Sequence, residues 1–129
     1  LLIIFKFLNY FAKMIHHVDI SDAWIGPGLH ISHASTIYIG EIPIGRNFSI
    51  GHNITIGIGH QAGKVGLPKS IGDDVWIGTG SVIAGTITIG NKVTIASGSI
   101  LSKDVPDNAL VMGNPARVID LNYDNSHLL

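Results

Sequence analysis

Aliphatic residues recur every six positions through most of this chain. Ile71, Ile77, Ile83, Ile89, Ile95 and Leu101 fall six apart without a break, and Ile25, Ile31 and Ile37, then Ile44, Ile50 and Ile56, do the same upstream. A second small or apolar set stands two residues earlier, at Val75, Ser81, Ile87, Val93 and Ser99, with Leu29, Ile42, Phe48 and Ile54 in the first half. Glycine commonly follows the aliphatic position, as at Gly26, Gly45, Gly51, Gly72, Gly78 and Gly90, so a corner recurs with the same period. A helix would space its apolar residues three and four apart, and a hairpin sheet would alternate between irregular turns. A strict six instead predicts one short strand and one corner per hexapeptide. Three hexapeptides then make a triangular turn of a solenoid, its strands stacked about 4.8 Å apart.

This grouping predicts four coils: Ile25/Ile31/Ile37, Ile44/Ile50/Ile56, Ile71/Ile77/Ile83 and Ile89/Ile95/Leu101. The spacing of seven from Ile37 to Ile44 predicts a bulge near Glu41 and Pro43. Between positions 58 and 70 (IGHQAGKVGLPKS) the hexad disappears, and its glycines and Pro68 predict a loop projecting from one corner. After Leu101 the segment SKDVPDNALVMGNPARVI leaves the repeat, with Pro106 and Pro115 ruling out a long helix, and residues 121–129 read as a loosely held tail. The expected organisation is therefore a helix over 1–17, a solenoid over 18–105 with its loop at 58–70, and an extension over 106–129. The fold class is all-β, in keeping with apolar residues that are mostly Ile and Val.

The first fifteen residues, LLIIFKFLNYFAKMI, are strongly apolar and carry only Lys6 and Lys13 as charges. Spanning a bilayer takes about 20 residues. The reading adopted is a short helix that covers the open end of the solenoid; the alternatives are an interfacial helix resting on a membrane and a signal-peptide core, which no small-residue cleavage site follows. The chain starts at Leu rather than Met, which leaves room for a longer natural sequence.

With 129 residues there is room for one structural unit and none for a separate catalytic domain. The net charge is −1 with no run of Lys or Arg, so nucleic acid is not an expected partner. The absence of cysteine excludes a disulfide framework, a thiolate metal site and a Cys nucleophile, and fits the cytoplasm.

Seven histidines are the conspicuous chemistry. His33 stands two residues after Ile31 and His52 two after Ile50, which predicts that they stack in adjacent coils. His30 and His33, three apart on a strand, should face opposite ways, and no spacing typical of a zinc site occurs. No metal is therefore expected. Trp24 and Trp76 are expected to pack on the coil exterior or at a subunit seam.

Three stretches resemble the hexapeptide-repeat acyltransferases, and among them the serine O-acetyltransferases and related saccharide O-acetyltransferases: Asp19-Ile20 with IGPGLHISHAS, then SIGHNITIGIG, then the ending SKDVPDNALVMGNPARVI. The resemblance covers about Val18 to Ile119. It implies left-handed coils, a homotrimer, and acetyl-CoA as co-substrate for transfer of an acetyl group to the hydroxyl of a small-molecule acceptor. His33 matches the family's catalytic base, and Asp19 would orient its ring, although one residue is deleted between them relative to serine acetyltransferases. His52 joins the same face, and His60 corresponds more nearly to the base of some sugar-acetylating relatives. The coenzyme arm would meet Gly57, Gly59, Thr79 and Ser97, and Lys103 and Arg117 would hold its phosphate end. Ser32 stands where serine acetyltransferases carry Asp, and Gly66-Leu67-Pro68 where they carry Arg-His-Pro. A saccharide hydroxyl thus stands beside serine as the acceptor. The competing readings are a non-catalytic structural or binding β-helix and a zinc-dependent relative of the carbonic anhydrases.

Overall fold

The structure, a computed structural model, describes residues 2–20, 23–61 and 64–129, with backbone alone for Phe5, Asn9, Ala12, His60, Gln61 and Lys64. Three parallel sheets form the walls of a triangular solenoid. The first contains β1 (Val18–Asp19), β4 (Ile37–Ile39), β7 (Ile54–Gly57), β12 (Val82–Ala84) and β15 (Ile100–Leu101) in that order. The second contains β2 (Trp24–Ile25), β5 (Pro43–Ile44), β10 (Ser70–Ile71) and β13 (Thr88–Ile89). The third contains β3 (His30–Ile31), β6 (Ser49–Ile50), β11 (Trp76–Ile77), β14 (Thr94–Ile95) and β16 (Leu110–Gly113), and is closed by β17 (Ala116–Asp120) running antiparallel to β16. Successive strands fall on successive walls, so each hexapeptide turns one corner.

The hexad isoleucines form the core. Ile50, Ile56, Ile77, Ile83 and Ile95 are fully enclosed, and so are Phe48, Val75 and Val93 from the second apolar set. Ser81 and Ser99 occupy the same inward position without cost, because each hydroxyl donates to a carbonyl of its own corner: Ser81 to Gly78 at 2.7 Å and Ser99 to Ala96 at 2.6 Å. Leu29 is the exception, at 37% exposed, since it belongs to the first coil and has no neighbour below.

Among the described residues the first wall holds five strands, so the solenoid has about five turns where four were expected. Val18 pairs with Ile37 ahead of the first hexad, and Val105, Ala109 and Val111 are buried beyond Leu101. The last turn escapes a count of sixes because Val105 comes four residues after Leu101.

The irregularity between Ile37 and Ile44 also lies elsewhere than expected. Six residues separate Ile31 from Ile37, whereas only four separate their partners Ile50 and Ile54. The first coil's corner at 32–36 is thus two residues longer than the one stacked on it. The following corner is one residue shorter: Ile39 to Ile44 spans five residues, against six from Ile83 to Ile89 in the same columns. The net excess of one gives the spacing of seven.

The hexad breaks after Ile56 as expected, with Gly59–Gln61 (β8) and Lys64–Gly66 (β9) pairing antiparallel, after which Leu67 returns to pack against the core. The tail is pinned rather than loose. The Tyr123 N–H donates to the Asn108 carbonyl at 2.9 Å, and the Asn125 side-chain amide donates to the Asp74 carbonyl at 2.8 Å, leaving Asn125 only 3% exposed. Asn125→Ala removes that bond and is expected to cost about 1–2 kcal/mol. Limited proteolysis should then release the last residues faster than in the wild type.

Helix α1 (Leu2–His16) precedes β1. It does not cover the open end with its apolar side: Ile3, Phe7 and Leu8 are 82%, 65% and 58% exposed.

Candidate active site

The corner between the third and first walls brings two histidines together. His33 follows β3 and His52 follows β6, each two residues beyond one of the paired isoleucines Ile31 and Ile50. Their ring centroids are 5.7 Å apart with planes at 74°, an edge-to-face contact. The stack expected from the spacing is present. On the next coil Thr79 brings its Oγ1 to 3.5 Å from His52 Nδ1, and Ser97 occupies the equivalent position two beyond Ile95.

Backbone hydrogen bonds fix this column. Ser32 N–H donates to the Ile50 carbonyl at 3.0 Å, Gly80 N–H to the His52 carbonyl at 3.1 Å and Gly98 N–H to the Thr79 carbonyl at 2.9 Å. Gly51 is what permits the close approach, because a Cβ there would overlap the Thr79 hydroxyl. The two extra residues of the first corner leave the ladder at His33. Ser35 N–H turns back to the His33 carbonyl at 2.9 Å, and coil-to-coil pairing resumes with Asn53 N–H on the Ser35 carbonyl at 3.0 Å. His33 consequently stands exposed on a corner whose base is rigid, while His52 behind it is half-buried. An imidazole so placed is open to an acceptor and held in orientation by a second ring.

Asp19 lies on the first wall, where its register partner is Tyr38 and its carboxylate meets the Lys13 ammonium at 2.7 Å. Beside this pair lies a groove of about 270 Å³ whose lining includes Lys13, Asp19, Thr36, Tyr38 and Thr55 together with the apolar Val18, Ile37 and Ile54. Thr36 belongs to the same corner as His33, which does not itself line the groove. Sequence reasoning missed the groove and its Lys13 and Tyr38. Their signal was register: Tyr38 sits above Asp19 and below Thr55 once the longer corner is counted. His30 is exposed on the outer side of the third wall. His60 falls on β8, and its side chain lies outside the described residues.

The residues expected along a coenzyme divide between two corners. Thr79 and Ser97 share the histidine column. Gly57 pairs with Ala84 at the far edge of the first wall, and Gly59 lies so close to Gly85 that a Cβ would overlap its backbone nitrogen. A wall about five residues wide, roughly 16 Å at 3.3 Å per residue, separates the two sets. One chain alone does not bring these four together. Lys103 and Arg117 are both exposed at the last coil, Arg117 on β17 opposite Met112. Among the described residues, no three His, Asp or Glu side chains converge on a point where a metal could sit.

A family model described as bacterial transferase hexapeptide (six repeats) matches residues 68–103, the uninterrupted hexads. Serine acetyltransferase 3, mitochondrial, of Arabidopsis thaliana is 48% identical over 99 residues, covering 75% of this chain and 25% of its own length. Galactoside O-acetyltransferase of Escherichia coli (strain K12) is 34% identical over 131 residues, covering 82% of this chain and 64% of its own. A solved serine acetyltransferase in complex with CoA superposes with a TM-score of 0.72 at 32% identity, over 83% of this chain and 43% of that one. This chain therefore spans between 25% and 64% of the length of these relatives.

Proposed function

Because this chain belongs to the hexapeptide-repeat transferase family of left-handed β-helices, we propose that it transfers the acetyl group of acetyl-CoA to an acceptor hydroxyl, with His33 as general base. The observation that carries this reading is the exposed His33 ring held edge-to-face against His52 on a rigid corner. An alcohol attacks a thioester poorly until its proton is removed. The neutral His33 imidazole accepts that proton as the oxygen bonds to the acetyl carbon. The resulting imidazolium returns the proton to the sulfur as the carbon–sulfur bond breaks, so ester and free CoA leave with the base restored. No covalent acyl-enzyme is needed.

His52 takes the positioning part, steadied in turn by Thr79. Asp19, held by Lys13, shapes the groove that receives the acceptor. The groove offers the Thr36, Tyr38 and Thr55 hydroxyls together with the apolar Val18, Ile37 and Ile54, so an acceptor would find both polar and apolar contacts there. Serine acetyltransferases and a galactoside O-acetyltransferase are both among the relatives. Ser32 and Gly66-Leu67-Pro68, in place of acidic and Arg-His groups, keep a saccharide hydroxyl beside serine as the acceptor.

The coenzyme arm would run between two subunits of a homotrimer, with the Thr79/Ser97 corner of one chain facing the Gly57/Gly59 corner of the next. Lys103 and Arg117 would hold the phosphate end through charge-assisted bonds. Calorimetric titration with acetyl-CoA tests this part directly. The wild type should bind saturably, and Arg117→Ala should bind at least about tenfold more weakly, the loss of one hydrogen bond to a charged group. Absence of any heat of binding would favour a non-catalytic scaffold. Stoichiometric zinc in the purified protein would favour a metal-dependent hydration enzyme instead.

A further inference from the structure

Tyr38 carries most of the apolar surface that a ligand can reach in the groove beside Asp19. Of the groove's aliphatic residues, Ile37 and Ile54 keep their side chains in the core at 1% exposure, and Val18 is half-buried. Tyr38 is 49% exposed on the outer face of β4, above Asp19 and below Thr55. Its ring leans along the wall toward the coil above. A Cβ on Gly57 would stand 3.5 Å from Tyr38 Cε1 and 3.9 Å from Cδ1, ordinary contact distances, so the bare backbone at 57 seats one edge of the ring and leaves the rest open. Among the described residues the Tyr38 hydroxyl has no hydrogen-bond partner. A tyrosine so held is apolar in its body and polar at its tip, and ordering it on a ligand costs little conformational entropy.

We propose that Tyr38 selects the acceptor: its ring packs on a C–H face of the acceptor, and its hydroxyl bonds a polar atom of the same molecule. This rests on the acetyl-transfer reading, in which the groove receives the acceptor. His33 does not line the groove, whereas Thr36 of the same corner does, and Tyr38 stands two residues farther on, roughly 7 Å along the wall. An acceptor that reaches from the corner to Tyr38 has to be extended, with hydroxyls for Thr36 and Thr55 and an apolar face for the ring. A pyranoside is built that way, with hydroxyls around its rim and C–H bonds on its faces. Serine is short, ionised at both ends and has a single methylene. Lys13 and Asp19 are paired with each other at 2.7 Å rather than presented singly to an amino acid's two charged ends.

The test pairs direct binding with turnover on the full chain. Titration with methyl pyranosides and with serine, followed by saturation-transfer NMR, reads acceptor binding, and release of free CoA reads KM. The wild type should bind at least one methyl pyranoside. Tyr38→Ala should weaken that binding and raise that acceptor's KM at least about tenfold, the loss of a ring contact and a hydrogen bond together, while the KM for acetyl-CoA holds. Tyr38→Phe, which keeps the ring, should weaken binding about threefold. Equal pyranoside binding by Tyr38→Ala and the wild type overturns the proposal, as does failure of every methyl pyranoside to bind, or an equal rise in the KM for acetyl-CoA. The two readings fail separately. Pyranoside binding that needs Tyr38 without any release of CoA refutes acetyl transfer and leaves the assignment of Tyr38 standing, whereas release of CoA at an unchanged acceptor KM in Tyr38→Ala refutes that assignment alone.

Discussion

His33→Ala is expected to lower acetyl transfer by roughly 10²–10⁴-fold, the range lost when a positioned base is removed. The effect should fall on turnover rather than on acetyl-CoA affinity, because the ring takes the acceptor's proton and the coenzyme is held elsewhere. Stability should change by no more than about 0.5 kcal/mol, since His33 is exposed on a corner that its backbone bonds maintain. His52→Ala should retain more activity, because it removes the ring that steadies His33 and leaves the base in place. Stopped assays of free CoA release, with melting curves of each variant, separate these outcomes. If His33→Ala kept full turnover while His60→Ala lost it, the base would belong to the projecting hairpin.

Phe48→Ala carries the largest expected effect on folding, about 3–5 kcal/mol. Phe48 is fully buried at the corner between β5 and β6, beside the equally enclosed Ile42 and Ile50. Its coil cannot collapse into the space left behind: the Phe48 carbonyl accepts from His30 N–H at 2.8 Å below, and Ser49 N–H donates to the Val75 carbonyl at 2.9 Å above. In a stack whose stability is a sum over neighbouring turns, such a cavity loosens both interfaces at once. Against a total of about 5–15 kcal/mol, the loss should lower the melting temperature by about 10–20 °C. The urea midpoint should drop with little change in slope.

The walls of the solenoid were legible because a period of six admits few other solutions, and each hexad isoleucine from Ile37 onward proved to be core. The His33–His52 contact was legible for the same reason, since equal offsets from paired residues end up one coil apart. Corner length was not. A count of spacings registers only the net excess, so the longer corner at 32–36 and the shorter one after Ile39 read together as a single bulge near Glu41. Val105 and Val111 were hidden by a corner shortened after Leu101. The direction of α1 was hidden by composition, which shows an apolar helix but not the Lys13–Asp19 pair that ties it to the first wall. The tail looked loose because its anchors are single bonds from Tyr123 and Asn125 to carbonyls of distant corners. Gly57, Gly59, Thr79 and Ser97 were expected together on the strength of a resemblance among trimers. One chain keeps them on two corners, a wall apart.

The most direct test of the His33 corner as an acetyl-transfer site is acceptor-dependent release of free CoA by the wild-type protein, followed with acetyl-CoA and a panel of saccharides and serine. Release should require an acceptor hydroxyl, a saccharide's or serine's, and disappear in His33→Ala. Release that is absent with every acceptor, or that continues undiminished in His33→Ala, would contradict the assignment of that site.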